Sequence, residues 1–186
     1  MGQLIVTMWI TLDGFIAGPN NEMDWVVPLG EYQNDLVSTA DTLVLGRVTY
    51  QSFAGAWPYV PDNPEAPEDL KDYARKLNSM RKIVYSKTLE EVGWHNSTLK
   101  QEIFPEDIEK LKQEADRNIV IYGSASIVQA LMSLGLIDEY HLLVHPVVLG
   151  SGKPLFKNLK ERVNLKLLTT KTDPSGVVLL YYQPTK

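Results

Sequence analysis

The chain has 186 residues, of which 44% are hydrophobic and 22% charged, and its formal net charge is -5 at pH 7. This length and composition are typical of one globular domain and exclude a fibrous or intrinsically disordered chain. Its 18 Lys and Arg residues form no block, which excludes a nucleic-acid partner, and the lack of cysteine excludes disulfides, thiolate metal sites and a cysteine nucleophile.

The amino terminus is predicted to be the first strand of the fold. Its apolar run is interrupted by Thr7, Thr11 and Asp13, and no positively charged segment precedes it, unlike a secretion signal. No window of the chain approaches the roughly 18 consecutive apolar residues of a membrane span. We therefore expect a cytoplasmic protein with no membrane partner.

Strand and helix patterns alternate over the first three quarters of the chain. Short β-rich runs are each followed by a segment with apolar residues at helical spacing. Four prolines and the lack of a period predict a surface loop over 54–67. The predicted strands are 4–10, 42–45, 81–85 and 118–122, and the predicted helices are 29–40, 47–53, 67–77, 105–115 and 126–134.

The pattern changes in the last quarter of the chain. Three β-rich segments, 140–148, 164–172 and 177–182, have no helix-length connection, and the sequence at 173–176 is that of a tight turn. This order predicts an α/β fold with a mixed, mostly parallel central sheet that is flanked by helices and completed by C-terminal antiparallel strands. We expect a single domain over 1–186.

Two glycine-bearing turns are the most informative functional feature. LGRVT at 45–49 and IYGSAS at 121–126 each follow an apolar strand and precede a helical pattern. Glycine lets the backbone approach an anion closely, and the free N–H groups of the next helix attract that anion. Two such turns predict a ligand with more than one phosphate, such as a dinucleotide.

Five segments of the chain match a known family in order and spacing. They are TLDGFIAG at 11–18, LGRVTY at 45–50, VYSKTL at 84–89, IYGSASIV at 121–128 and HPVVLGSGKPLF at 145–156. Together they resemble the dihydrofolate reductase-like superfamily, and most closely the reductase domain of the bifunctional riboflavin-biosynthesis deaminase-reductase, in a form without the deaminase domain. The resemblance implies the dihydrofolate reductase-like fold, NADPH as hydride donor and a homodimer.

The resemblance also assigns cofactor contacts to three turns. Gly46, Arg47 and Thr49 would hold the phosphate-bearing half of NADPH, because they offer a close turn, a charged donor and a hydroxyl. Ser86 and Lys87 would join Arg47 around the 2′-phosphate. The pyrophosphate would be surrounded by Gly123, Ser124, Ala125 and Ser126.

These assignments have structural alternatives. Arg47 and Lys87 are also consistent with solvated surface charges. Ser124 stands where relatives have a second glycine, so it suits the cofactor role only if its φ is negative, and it equally suits a helix N-cap.

The substrate side is expected around the first strand and the first helix. By resemblance, Asp13 and Gly14 contact the nicotinamide ribose and the substrate, although aspartate is also a common turn residue. Trp25 is either a lid in a mobile flap or a core side chain. Glu31 and Asp35, one helical turn apart, lie near the place of the superfamily's proton-donating carboxylate. Asp13 and Glu31 are the candidate catalytic residues, and Gly14, Trp25 and Asp35 are the candidate substrate contacts. The proton donor stays unassigned.

Metal binding is not predicted. His141 and His145 are four residues apart on a strand, but no third histidine lies nearby in the sequence.

The leading hypothesis is an NADPH-dependent reductase that transfers a hydride to a small C=N or C=O substrate. By resemblance, the substrate is of the 5-amino-6-(5-phosphoribosylamino)uracil type. Two alternatives remain open, a dihydrofolate or pterin reductase and a non-catalytic NADPH-binding module.

Overall fold

The computed structural model describes residues 1–185 and is built around a mixed sheet of eight strands. The strands are β1 Leu4–Thr11, β2 Phe15–Ala17, β3 Ala40–Gly46, β4 Arg81–Tyr85, β5 Ser97–Lys100, β6 Asn118–Ile121, β7 Glu139–His145, β8 Lys153–Pro154, β9 Leu165–Thr172 and β10 Val178–Pro184. The helices are α1 Gly30–Ser38, α2 Arg47–Ala54, α3 Glu68–Ser79, α4 Pro105–Glu114 and α5 Ala125–Ser133, with a short 3-10 turn at Trp57–Tyr59.

The strand order in the large sheet is β5-β4-β3-β6-β1-β7-β10-β9. The six strands from β5 to β7 pair in parallel, whereas β10 runs antiparallel to both β7 and β9. This confirms the predicted mixed, mostly parallel sheet with antiparallel C-terminal strands. Because six neighbouring strands share one direction, their carboxyl ends form one edge of the sheet.

Helices cover both faces of this sheet, because successive side chains of each strand point to opposite faces. In β1, Leu4 and Val6 pack in one core layer with Ile108 of α4 and Leu131 of α5. Ile5 packs in the other layer, which α1, α2 and α3 cover. A fully buried strand of this kind is a nearly continuous apolar run, which explains why the sequence reveals β1 so clearly.

Three short strands, β2, β5 and β8, were not predicted from the sequence patterns. β2 and β8 form a separate two-stranded sheet in which Phe15 pairs with Pro154. β5 lies at the outer edge of the large sheet and consists of the half-exposed sequence STLK. Such strands bury too little apolar surface to produce a recognisable alternation. At the predicted helix 29–40, the structure ends the helix at Ser38, because Ala40 already begins β3.

Candidate functional site

The two glycine turns meet at the carboxyl edge of the parallel strands. Gly46 ends β3 and Gly123 follows the neighbouring strand β6, and the N–H of Gly46 donates a 2.9 Å hydrogen bond to the carbonyl oxygen of Gly123. Both turns can bind one ligand only if they lie close together in space. The sequence does not reveal this proximity, because the turns are far apart along the chain. The structure therefore brings the two predicted phosphate-binding turns together.

Both turns need glycine for reasons of space and backbone conformation. A Cβ on Gly46 would collide with the hydroxyl of Ser124 and lie 2.9 Å from its backbone nitrogen. Gly123 has φ +110°, and a Cβ there would lie 3.2 Å from Thr49 Oγ1. Side chains other than hydrogen are strained at such a φ. These two glycines form a cradle that brings the N-termini of two helices close to each other.

Helices α2 and α5 begin at these turns with uncapped N-termini. Gly46, the N-cap residue of α2, has no side chain that could cap the helix, and Ser124, the N-cap residue of α5, makes no side-chain capping hydrogen bond. The Ser124 hydroxyl instead lies 2.9 Å from the Ser126 hydroxyl, and the φ of Ser124 is -79°, the sign that its predicted cofactor role requires. First-turn N–H groups that no side chain caps, backed by the helix dipole, are suited to bind an anion.

Other predicted cofactor residues follow the carboxyl ends of β3 and β4. Arg47 is exposed at the start of α2, and Thr49 is half-buried two residues later. Ser86 directly follows β4, and its buried hydroxyl accepts hydrogen bonds from the N–H groups of Thr88 and Leu89. Lys87 is largely exposed and lies 3.6 Å from Glu102, a surface ion pair of small energetic value. Because this ion pair is weak, it is no obstacle to an ion pair between the Lys87 ammonium group and a phosphate.

Asp13 connects two loops at the same edge. Its carboxylate accepts hydrogen bonds from the Thr11 hydroxyl (2.6 Å) and from the N–H groups of Gly150 (2.8 Å) and Leu149 (3.3 Å). The Thr11 hydroxyl is the main reason that the pKa of Asp13 is lowered. Asp13 is therefore ionised at neutral pH, which suits a residue that orients a ligand better than one that donates a proton. The next residue, Gly14, has φ +86°.

The segment that contains Trp25 is fastened to β7 by a histidine that the sequence patterns did not single out for this role. His145 Nε2 accepts a hydrogen bond from the N–H of Val27 (3.0 Å), and Nδ1 donates to the carbonyl of Leu143 (2.9 Å). Trp25 packs edge-on against the same imidazole, with ring centroids 5.1 Å apart. Trp25 is half-buried, and its indole N–H has no partner in the described part of the chain. In this arrangement, Trp25 covers His145 instead of entering the main core.

A cavity of about 330 Å³ lies between α1 and the β9–β10 hairpin, at the same edge of the sheet. Both predicted carboxylates of α1, Glu31 and Asp35, line it. The other lining residues are Val27, Pro28, Leu29, Gly30, Tyr32, Lys171, Thr172, Asp173, Leu179 and Tyr181. Of the predicted substrate contacts, Asp35 thus lies in the cavity wall, while Trp25 lies next to the segment that forms one rim.

A buried polar chain connects the wall of this cavity to the sheet. The Tyr32 hydroxyl lies 2.8 Å from the Thr7 hydroxyl and 2.9 Å from His141 Nδ1, and His141 Nε2 lies 2.9 Å from Glu139. Burial raises the pKa of Tyr32 well above its usual value. Burial also lowers the pKa of His141, although Glu139 opposes this shift. The chain was not predicted, because its members lie on α1, β1 and β7, far apart in the sequence.

Two further observations concern metals and membranes. Among residues 1–185, no three His, Cys, Asp or Glu side chains come together in a metal-binding group. None of the helices described here combines the length and the apolar content that crossing a membrane would require.

The sheet order and the helix arrangement place the chain in the dihydrofolate reductase-like fold class. Dihydrofolate reductase from Enterococcus faecalis, solved with NADP(H), superimposes with a TM-score of 0.63 at 16% identity, covering 100% of this chain and 98% of that one. A protein from Shewanella sp. PV-4, provisionally named for riboflavin biosynthesis, superimposes with a TM-score of 0.76 at 25% identity and 99% coverage of both chains.

Within that fold class, the chain belongs to the RibD C-terminal domain family, whose model matches residues 3–179. It is also similar to the uncharacterized protein YyaP of Bacillus subtilis (strain 168), with 38% identity over 181 residues, which are 97% of this chain and 94% of YyaP. The resemblance inferred from the five sequence segments is thereby confirmed. The predicted homodimer and cytoplasmic location stay predictions.

Proposed function

We propose that this protein is an NADPH-dependent reductase that transfers a hydride to a C=N or C=O carbon of a small molecule. The observation that carries the proposal is the cradle of Gly46 and Gly123, where two uncapped helix N-termini meet. A cofactor with a pyrophosphate fits this cradle, because it presents negative charge to both helices at once. Membership of the RibD C-terminal domain family supports the same function.

NADPH, when bound, supplies the hydride, and the residues of this chain bind and orient it. Gly46, Gly123 and the first-turn N–H groups of α2 and α5 would hold the pyrophosphate. Arg47 and Lys87 would hold the 2′-phosphate, which is the reason to expect NADPH over NADH. Ionised Asp13 and neighbouring Gly14 would contact the nicotinamide ribose.

The substrate is expected to enter from the side of α1, where Glu31 and Asp35 line the cavity. The family favours a substrate of the 5-amino-6-(5-phosphoribosylamino)uracil type, with hydride delivered to C1′ of its ribosyl chain. A pterin-type substrate is the second candidate, because a carboxylate in the first turn of α1 faces the cavity. Glu31 is the candidate proton donor for either one.

Calorimetry with NADPH and NADP⁺ tests the cofactor proposal, and NADPH oxidation followed by absorbance tests catalysis. We expect binding in the micromolar range and turnover with either the ribosylaminouracil or dihydrofolate. Tight binding without turnover of any carbonyl or imine substrate would favour a non-catalytic NADPH-binding module. No binding of either nucleotide at millimolar concentration would contradict the proposal.

A further inference from the structure

The Trp25 segment, residues 23–27, has few connections to the rest of the protein. It contains no helix or strand and is mostly exposed. One of its two backbone hydrogen bonds is internal to the segment. The other runs from the N–H of Val27 to His145 Nε2, and among residues 1–185 His145 is the one residue outside the segment that hydrogen-bonds to it. The position of the segment therefore depends on His145.

The contacts of His145 determine which of its nitrogens carries the proton. His145 ends β7, and only 1% of its surface is exposed. Nδ1 lies 2.9 Å from the carbonyl oxygen of Leu143, which can only accept a hydrogen bond, so Nδ1 carries the proton. Nε2 is then an unprotonated acceptor for the Val27 N–H at 3.0 Å. The neutral imidazole in this tautomer satisfies both contacts at once, and it is the state in which the segment is fastened.

A second proton on the imidazole would remove the acceptor that Val27 uses. The new Nε2–H would face the N–H of Val27, so that two donors would oppose each other. The carbonyl oxygen of Val27 lies 3.4 Å from the same nitrogen, and it can replace the N–H as the partner only if Val27 moves. The neutral and the protonated forms of His145 thus require different positions of Val27.

No charged neighbour holds the fastened position when His145 is protonated. The elements beside its imidazole carry several titratable groups: Asp24 of the segment, Asp13 after β1, Glu31 of α1, Glu139 and His141 of β7 and Tyr181 of β10. In the described part of the chain, none of these groups makes a hydrogen bond or an ion pair with His145. A proton on Nε2 therefore has no acceptor until Val27 has moved.

Trp25 adds a reason for the segment to leave its fastened position. Its indole N–H is buried and has no acceptor among residues 1–185. A buried donor without an acceptor is unfavourable, and an opening of the segment would return this N–H to water. The fastened arrangement thus has a cost, which the hydrogen bond between Val27 and His145 helps to offset.

The Trp25 segment leads directly into the cavity beside α1. Its last residue, Val27, lines the cavity together with Pro28 and Leu29, and α1 begins at Gly30. A movement of Val27 would therefore change one rim of the cavity, on the side where the substrate is expected to enter.

We propose that His145 is a positioning residue for the substrate site. Its neutral imidazole fastens residues 23–27 at the carboxyl end of β7, and uptake of a second proton releases the segment and moves the cavity rim at Val27. The fastening requires no cofactor or substrate. Its effect on substrate binding rests on the proposed reductase function.

NMR of the unliganded protein tests the fastening directly. Labelling with ¹⁵N reports the tautomer of His145, and 5-fluorotryptophan gives a ¹⁹F signal for Trp25 that is assigned by its loss in Trp25→Phe. At about pH 8 we expect the Nδ1–H tautomer, and between about pH 8 and pH 5 the Trp25 signal should shift with the same midpoint as the His145 ring signals. The other tautomer at the higher pH, or a Trp25 signal that does not follow His145, would overturn the proposal.

Three variants identify the group responsible for the shift. His145→Gln keeps an acceptor for the Val27 N–H but does not titrate, so the Trp25 signal should stay in its high-pH position. His145→Phe keeps an aromatic ring against Trp25 but has no acceptor, so the signal should stay in its low-pH position. The control His95→Gln removes an exposed histidine and should titrate like wild type. Survival of the titration in His145→Gln would assign it to another group and contradict the proposal, and the wild-type tautomer tests it even if a variant does not fold.

Kinetics with NADPH and either dihydrofolate or the ribosylaminouracil phosphate test the effect on substrate binding. Between about pH 8 and pH 6, KM should rise at least about threefold more in wild type than in His145→Gln, because only the fastened fraction of the wild-type molecules has the complete rim. The pH dependence of kcat should be the same in both proteins. Equal pH dependence of KM would exclude the positioning role. No binding of NADPH would instead remove the reductase function, and the NMR titration would still decide whether His145 fastens the segment.

Discussion

At the scale of single residues, Gly46 has the sharpest steric requirement in the site. Its Cα lies so close to Ser124 that any Cβ would collide with the hydroxyl and crowd the backbone nitrogen at 2.9 Å. Ser124 is the N-cap of α5, and residues 123–126 are the predicted pyrophosphate contacts. A methyl group at position 46 would therefore push α5 away from α2 and open the cradle.

We expect Gly46→Ala to weaken NADPH affinity by about tenfold or more and to cost about 1–3 kcal/mol of unfolding free energy. Gly93→Ala is the matched control, because Gly93 is exposed and nothing lies within 4 Å of a Cβ built there. Calorimetry on folded protein measures the affinity, and urea denaturation measures the stability. An unchanged NADPH affinity in Gly46→Ala would show that the contact between the turns does not shape the cofactor site.

The burial of Lys82 is a property of a single residue that could not be predicted from the sequence. It occupies an apolar strand, is fully buried, and donates hydrogen bonds to the carbonyls of Asn78, Met80 and His95. The ammonium also lies 4.2 Å from the ring centroid of Trp94. Partners from a helix end and a loop supply this environment, so the pattern of β4 alone cannot reveal it. A lysine in an apolar strand is ordinarily expected to point to solvent.

At the scale of elements, the hydrogen-bonded chain from Tyr32 to Glu139 holds α1 against β1 and β7. Burial is the main cause that lowers the pKa of His141 below its usual 6.5, so the imidazole stays neutral in the folded protein at a pH where it would already be charged in the unfolded chain. Between the lowered pKa and 6.5, the unfolded state binds more protons than the folded state. The free energy of unfolding therefore falls as the pH decreases through that window.

We expect the loss of stability on acidification from pH 7 towards pH 5 to be steeper in wild type than in His141→Gln, by about 1.4 kcal/mol per unit of pKa lowering at most. Glutamine keeps a hydrogen-bonding side chain but does not titrate. Urea denaturation at a series of pH values measures both proteins. Parallel stability profiles would show that His141 is not the group responsible, and that Glu139 compensates for its burial.

The elements also show which parts of a fold can be predicted from sequence. Strands β1, β3, β4 and β6 are buried on both faces, so their apolar runs are unmistakable, and the Asp-Pro-Ser-Gly turn before β10 forms as expected. β2, β5 and β8 owe their extended form to pairing with partners elsewhere in the chain. Tertiary pairing of this kind leaves no local pattern in three or four residues.

At the scale of the whole molecule, the candidate site is a product of the parallel sheet. The sequence predicted the glycine turns and the carboxylates of α1 as separate pieces, and the common strand direction brings them to one edge. The role of His145 in fastening the Trp25 segment depends on contacts across 118 positions of sequence and could not be predicted. The two glycine turns alone predicted only a ligand with more than one phosphate. The resemblance to a known family was needed to predict that this ligand is NADPH.

The distribution of charge over the molecule gives the last prediction. The chain carries a formal net charge of -5, so at long range it repels a polyanionic cofactor, and salt screens that repulsion beyond about 10 Å at 0.1 M ionic strength. Binding of NADPH must then depend on local cations, and Arg47 and Lys87 are exposed at the cofactor side.

We expect Arg47→Ala with Lys87→Ala to weaken NADPH affinity by about tenfold or more while NADH affinity changes little, because NADH lacks the 2′-phosphate. Lys157→Ala with Lys160→Ala removes the same charge from another exposed segment and should leave the preference for NADPH unchanged in calorimetric titrations. An equal loss for both nucleotides in the first variant would mean that the two cations act on the pyrophosphate or through net charge, and that the 2′-phosphate is held elsewhere.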